Sequence, residues 1–581
     1  MCTLCSATQT FDPARHTDAE GVAGATVLNS SQPTGTLDEL ATFLYQGAWE
    51  VDGDSQRSYD LSSSNQITVN ITGLTAEGKQ LARWAFEAWE LVEDMTFVES
   101  TSSVVMMTFD DEDSGAYAYS ITQGQTIQSS TVNVDTDWID TYGSTISSYS
   151  CSTYVHEIGH ALGLGHQVAY NGQATYGVDE TYANDSYQIS VMSYFSQTDN
   201  TTINASYAEP ITAMMADIVA IQTLYGAPGD SSQTAGNTTW GVGTNLTGYM
   251  AEVFNQTSNL GYEPVTYTIY DLSGRDVLDY SNNTTDDRLD LQGESYSDIG
   301  GLVGNIAIAR DTVIEEANMG SGNDTVTGNS ADNSIRSGAG NDEVSAGEGN
   351  DTIIAGEGND SIEGGAGNDQ IWAGSGDLGN DEMNGGAGDD VMGGGAGDDT
   401  INGDDGDDTV FGGAGDDNLN GMEGLDVIWA GGGIDVVDGG TQNDILGGGD
   451  GSDTLQGGAG NDQIFAGVDG SSDQVSGEAG NDTLFGGSGD DTLTGGVGDD
   501  EIFGGGDNDV IVFAAGHGDD SVGGFESLGD NTLDLSAIGL TGMGDLNISQ
   551  SGSDVLIDTT EGTITLWNTE VSDITASDFI F

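Results

Sequence analysis

Basic residues are almost missing from this chain of 581 residues: 8 Lys and Arg stand against 97 Asp and Glu, a formal net charge of -89. That balance excludes nucleic acid and anionic membrane as partners, since both would be repelled, and it invites cations. Proline is scarce too, with 5 residues against 91 glycines. No apolar run approaches the roughly 20 residues that span a bilayer, and the N-terminus has no basic region followed by an apolar one. Neither a membrane-spanning chain nor a Sec-type signal is therefore expected. The three cysteines, Cys2, Cys5 and Cys151, cannot all pair within one chain, which excludes a disulfide framework. Cys2 and Cys5 have the spacing of a redox or zinc pair, but no second pair lies nearby and they are read as incidental.

What is present is organised in blocks. Residues 1–40 are rich in Ser, Thr, Ala and Gly and have the look of a leader or propeptide. A globular segment follows over 41–229. Within it 66–71 alternates as a strand should, and Leu81, Ala85, Ala88, Trp89 and Val92 form a helical stripe that Thr75 is placed to cap. Residues 104–109 read as a further strand. Residues 114–119 are the candidate for an edge strand on which an extended peptide would pair. A helix over 214–225 ends before Gly226, Pro228 and Gly229 mark a boundary. Residues 230–320 are expected to be a linker and the first strands of a C-terminal domain, 321–525 a repeat domain, and 526–581 a C-terminal cap.

The stretch 156–166 reads HEIGHALGLGH. On a helix His156 and His160 share one face, so both imidazoles reach one zinc ion, while Glu157 is placed as a general base toward water. A glycine at 163 takes the positive φ that ends the helix and brings His166 in as a third ligand. The extended motif, with the turn Ser190-Val191-Met192-Ser193-Tyr194 downstream, matches the metzincin pattern. Met192 is expected to floor the site. Tyr194 is expected to bring its phenol to the metal or to the oxyanion. The loop over 167–189, with Asp179, Glu180 and Asp185, either walls the cleft or binds calcium.

The acidic residues are phased rather than spread as a solvating coat, which excludes a plain disordered tail. Asp324, Asn333, Asp342, Asp351, Asp360 and Asp369 fall nine residues apart, and after a three-residue insertion the phase resumes from Asp381 to Asp462. A shift of two carries it on from Asp473 to Asp509. Two positions after nearly every phased Asp stands an apolar residue, such as Val344, Ile353, Ile362, Ile401 or Ile428. This is the glycine-rich nonapeptide of calcium-binding parallel β-rolls. Glycines make the turn and Asp supplies a carboxylate, while the apolar residue of a short strand faces inward. Asp342, Asp351, Asp360, Asp369, Asp390, Asp399, Asp408 and Asp417 are the expected calcium ligands of the array. Without calcium the crowded carboxylates should repel and keep the roll unfolded.

Together these motifs resemble the serralysin family, RTX-type metzincin zinc metalloproteases. The resemblance covers almost everything after the leader, including Leu74-Thr75-Ala76-Glu77-Gly78 and Asp298-Ile299-Gly300-Gly301. It implies an α+β metzincin catalytic domain followed by an all-β RTX β-roll. It also implies one catalytic Zn2+ on His156, His160, His166 and Tyr194, with Glu157 as base, and several structural Ca2+ ions. Calcium sites would use Asp298, Gly300, Glu315, Gly320, Gly322 and Asp324. Protein or peptide substrates, broad specificity, a proteinaceous inhibitor and a monomer belong to the same expectation. So does secretion by a type I ABC transporter that reads the C-terminal Asp578-Phe579-Ile580-Phe581. Gln167, Val313, the cysteines and the long roll depart from the family pattern. The alternative function class is a calcium-dependent surface adhesin in which the roll is the working part.

Overall fold

The computed structural model describes residues 32–51, 53–167, 174–255, 264–374, 376–525 and 530–581. The expected leader, up to residue 31, lies outside these, as do Cys2, Cys5 and part of the 167–189 loop. Among the described residues the first helix is Leu37–Thr42, closed by a capping box between Thr36 and Glu39. The chain divides into two compact units, Met1–Tyr280 with Asp287–Ile314, and Ser281–Asp286 with Glu315–Phe581.

In the first unit, β1 (Ser58–Tyr59), β2 (Gln66–Asn70), β3 (Thr96–Glu99), β4 (Met107–Asp110), β5 (Ala116–Gln123) and β6 (Thr126–Val134) form one sheet. All its pairings are parallel except β5, which runs antiparallel to β6 at the edge, with Ala118 opposite Val132. The expected strand at 104–109 is observed as Met107–Asp110, starting later, with Val104 87% exposed. Helix α1 (Ala76–Glu90) is capped by Thr75 and buries Leu81, Ala85, Ala88 and Trp89 on one face. Burial of a side chain such as Leu81 contributes about 1.5–3 kcal/mol by leaving water. The Trp89 indole also donates to the Val155 carbonyl at 3.1 Å, which ties α1 to α2 (Tyr149–Leu162), the helix of the zinc motif. Helix α3 (Met215–Tyr225) completes the core.

The stretch 230–320, expected to be a linker and the first strands of a C-terminal domain, carries strands over its described residues. Val265–Ile269 pairs in parallel with Glu209–Pro210 and with Ile306–Ile308, and Tyr296–Ser297 extends this second sheet. Trp240, Tyr249, Ile269 and Leu278 are buried, so the stretch carries core residues and, up to Ile314, folds within the first unit, apart from Ser281–Asp286.

The second unit is the roll. Strands of successive nonapeptides alternate between two parallel sheets, so each residue pairs with its counterpart one full coil away, as in Ile335↔Ile353↔Ile371 and Val344↔Ile362↔Met383. Every one of these apolar residues is buried, as the repeat demands. The outer faces differ in a way the pattern did not announce. On one sheet Asn402 and Asn420 each donate to the preceding asparagine at 2.8 Å. On the other, Phe465, Phe485 and Phe503 stack at 4.9 Å, and the rings of Trp372 and Trp429 lie over Gly393 and Gly447 on the next strand. A Cβ at either glycine would come within 2.7 or 2.2 Å of the ring. The rings thus cover strand glycines that have no side chain to pack. The last strand, Phe579–Ile580, pairs with Thr532–Asp534 and buries Phe579.

Candidate metal centre

Helix α2 begins at Ser148, whose hydroxyl accepts the Cys151 N–H at 3.3 Å, and ends at Gly163 with φ +113°. The reversal leaves no room for a side chain, since a Cβ on Gly163 would sit 2.2 Å from the Arg57 carbonyl oxygen. Trp49 clamps the turn from outside by donating to the Gly163 carbonyl at 2.8 Å. His166 is thereby carried back to the helix face that bears His156 and His160.

The three imidazoles meet through their Nε2 atoms, with His166 at 3.2 Å from His156 and 2.9 Å from His160. Nitrogens on a tetrahedral Zn2+ at about 2.0–2.1 Å stand about 3.3 Å apart, so the set fits that ion. Two of the other ring nitrogens are engaged: Nδ1 of His156 donates to the Val191 carbonyl at 2.8 Å and Nδ1 of His160 to the Leu164 carbonyl at 2.9 Å. These bonds fix the tautomer that leaves Nε2 as a lone-pair donor. Burial pushes His156 down to about 4 and His160 to about 3, and holds His166 well below the usual imidazole range, so all three imidazoles are neutral.

Glu157, one residue along, is 4% exposed and accepts the N–H of Ala118 on edge strand β5. Its Oε2 is buried with no hydrogen-bond partner, and burial pushes the carboxyl up to about 8. The expected edge strand at 114–119 is therefore β5, and it runs beside the motif carboxylate. Tyr194 lies with its ring centroid 4.4 Å from that of His166 and 5.9 Å from that of His156. Met192 is fully buried beneath α2, where a Cβ on Gly159 would meet its sulfur at 2.6 Å.

Two supporting residues escaped the sequence reading. Gly159 lies in mid-helix, where glycine costs about 1 kcal/mol, and that cost is itself the signal of a close approach. Asp217 is the second, a lone carboxylate in the apolar run of α3. It accepts Ser190 Oγ–H at 2.6 Å, Val191 N–H at 2.7 Å and Met214 N–H at 2.9 Å. Val191 in turn holds His156, so α3 positions the metal ligand through the turn. Burial nevertheless pushes Asp217 up to about 7.

The expected calcium residues fall in both units. In the first, Asp298 is paired with Arg288 at 3.0 Å and accepts the Gly304 N–H at 2.6 Å, while Gly300 donates to Asp287 at 2.8 Å. In the second, Gly320 and Gly322 approach the carbonyls of Asn283 and Thr285 too closely for a side chain. The Glu315 carbonyl accepts Ser334 N–H at 2.7 Å and Asp324 N–H donates to Asp342. Asp342, Asp351, Asp360, Asp369, Asp390, Asp399, Asp408 and Asp417 repeat one arrangement. Each Oδ1 accepts the N–H of its counterpart one coil earlier at 2.6–2.9 Å. Each Oδ2 is buried without a protein partner, the setting a hard cation fits.

The family model described as the RTX calcium-binding nonapeptide repeat (4 copies) matches overlapping segments from 320–353 to 485–520. Metallopeptidase AprA of Pseudomonas marginalis is 35% identical over 347 residues, which cover 54% of this chain and 69% of that protein. Serralysin of Photorhabdus luminescens is 34% identical over 304 residues, 49% of this chain and 61% of the relative. Serralysin C of Dickeya chrysanthemi is 36% identical over 282 residues, 45% and 56% respectively. The chain thus spans between 56% and 69% of the length of these relatives.

Proposed function

This chain belongs to the serralysin family of metallopeptidases, and we propose that it is a secreted, calcium-stabilised zinc endopeptidase of broad specificity. The observation that carries the reading is the convergence of three neutral imidazole nitrogens beside a buried carboxylate that faces an edge strand. His156, His160 and His166 would hold the ion, with Tyr194 as a fourth, displaceable ligand. Zn2+, when bound, supplies Lewis acidity that lowers the pKa of a water and polarises a carbonyl. The remaining work falls to the chain. The free edge of β5 pairs with an extended peptide through main-chain hydrogen bonds and lays its carbonyl across the site. Glu157 takes a proton from the attacking water and returns it to the amine that leaves. Tyr194 donates its phenol hydrogen to the carbonyl oxygen as negative charge develops there.

In the same proposal the phased aspartates of the roll, with Asp298, Gly300, Glu315, Gly320, Gly322 and Asp324, bind structural calcium. The chain crosses a type I exporter unfolded and folds where calcium is millimolar. Calcium-loaded protein should digest casein. Glu157→Ala should abolish digestion while circular dichroism stays the same, and undiminished digestion by that variant would overturn the mechanism.

A further inference from the structure

The insertion that breaks the nonapeptide phase between Asp369 and Asp381 places an additional carboxylate inside the roll. A regular repeat reads Gly365-Ala366-Gly367-Asn368-Asp369, whereas here Gly374 and Gly379-Asn380-Asp381 are separated by four residues that include Asp377. Gly379 takes the place of the phased glycine, stacked so closely on Gly358 that a Cβ would meet its carbonyl oxygen at 1.6 Å. Asp377 takes over a backbone role. Elsewhere the phased glycine N–H donates to a main-chain carbonyl one coil on, as Gly340 does to Glu357 at 2.7 Å and Gly349 to Ala366 at 2.8 Å. Gly358 N–H donates instead to Asp377 Oδ1 at 3.2 Å, and the same oxygen accepts Leu378 N–H at 2.7 Å and Gly379 N–H at 3.1 Å.

Three donors on Oδ1 turn Oδ2 inward. Asp377 is 5% exposed, and its Oδ2 is buried with no partner. Asp360 Oδ2 and Asp381 Oδ2 are likewise buried and unpartnered, and the three residues offer carboxylate oxygens within 4.8 Å of one another. Among the described residues this is the one carboxylate triad in the roll close enough to share an ion. Oxygens bound at about 2.3–2.6 Å to a single Ca2+ span that distance. No Lys or Arg follows Arg336 in the chain. Three ionised carboxylates in this space need a counter-charge from outside the chain. The second break in phase supplies the contrast. Asp469 also accepts a glycine N–H, from Gly451 at 3.0 Å, but it is exposed and both its oxygens are held by Ser471.

We propose that Asp360, Asp377 and Asp381 form a three-carboxylate Ca2+ site that the regular coils, with no third carboxylate beside their phased aspartates among the described residues, do not have. It binds first as calcium rises and is released last. The inference rests on the calcium-binding reading of the roll and adds to it a site made by the insertion. Each added ligand charge tightens a calcium site, here by about tenfold or more.

The test measures Ca2+ bound per full-length chain across buffered free calcium from nanomolar to millimolar. Wild type should show one ion taken up at least tenfold below the rest. Asp377→Asn, which keeps an oxygen for the three N–H donors, should lose that early step and leave the later uptake unchanged. Deleting residues 376–378 restores the nonapeptide phase, so the roll should fold as a regular array that also lacks the early step. Asp469→Asn should match wild type. An Asp377→Asn or deletion isotherm that retains the early step would overturn the proposal. No calcium uptake by any variant would overturn the calcium reading of the roll itself.

Discussion

Asp217 offers the sharpest test of how the metal ligands are held. Replacing it by Ala leaves the Ser190 hydroxyl and the N–H groups of Val191 and Met214 buried with no acceptor. At about 1–3 kcal/mol per stranded group, and with Ser190 free to rotate, the loss of stability should be about 3–5 kcal/mol. Asn keeps the shape and one acceptor oxygen, and burial already holds the native carboxyl up to about 7, so loss of the charge matters less than loss of the oxygen. Asp217→Asn should therefore cost about 1–2 kcal/mol. The effect should reach the metal, because Val191 carries the carbonyl that orients His156. Removing such outer support typically weakens a metal site 10- to 100-fold, and with one more residue intervening about tenfold is expected. Zinc affinity by competition with a chromogenic chelator, and thermal unfolding with and without zinc, give both quantities. An Asp217→Ala protein that loses stability but keeps zinc affinity within about twofold of wild type would refute the coupling through Val191.

Gly163→Ala should place a Cβ against the Arg57 carbonyl in left-handed backbone, a strain of about 1–2 kcal/mol before the clash is relieved. The purified variant should hold less than one zinc per chain, and a full complement would show that the turn can shift without moving His166. A different assay addresses the calcium-free roll. Burial, then neighbouring carboxylates, raises Asp351, Asp390 and Asp417 to about 7 and Asp408 and Asp500 to about 6. These folded values lie above the roughly 3.9 of an unfolded Asp, so the folded roll holds protons that the unfolded chain gives up. Stability is then fully present below about pH 4 and is lost as pH rises through about 6 to 7. Chelated protein should show more strand by circular dichroism at pH 5 than at pH 8, and the opposite order would refute the assignment of these carboxyls as protonated and buried.

Much of the site was legible because its signals are local. The four-residue step from His156 to His160 is a property of one helix, and a glycine after Leu162 announces a reversal through its own conformational freedom. The roll was legible for a related reason. A solenoid repeats one local unit, so Ile353 and Ile401 reveal their inward direction by phase alone, and both are fully buried. Within 230–314 the strand, Gly turn and strand of 265–279 are legible, but the partners of Val265–Ile269 are not, because Glu209–Pro210 and Ile306–Ile308 join it across long loops rather than by any short period.

Periodicity and motif spacing in the sequence alone thus determined the histidine cluster, the carboxylate beside it, the two-part architecture and the coil-by-coil burial of the roll. Only the tertiary structure decided what surrounds them. It is packing that puts Asp217 against the turn holding His156, lays β5 along Glu157, and turns Asp377 inward while Asp469 points to solvent. Those contacts join residues far apart in the chain, and the direction of a buried polar atom depends on which donors arrive from elsewhere, information that no local pattern carries.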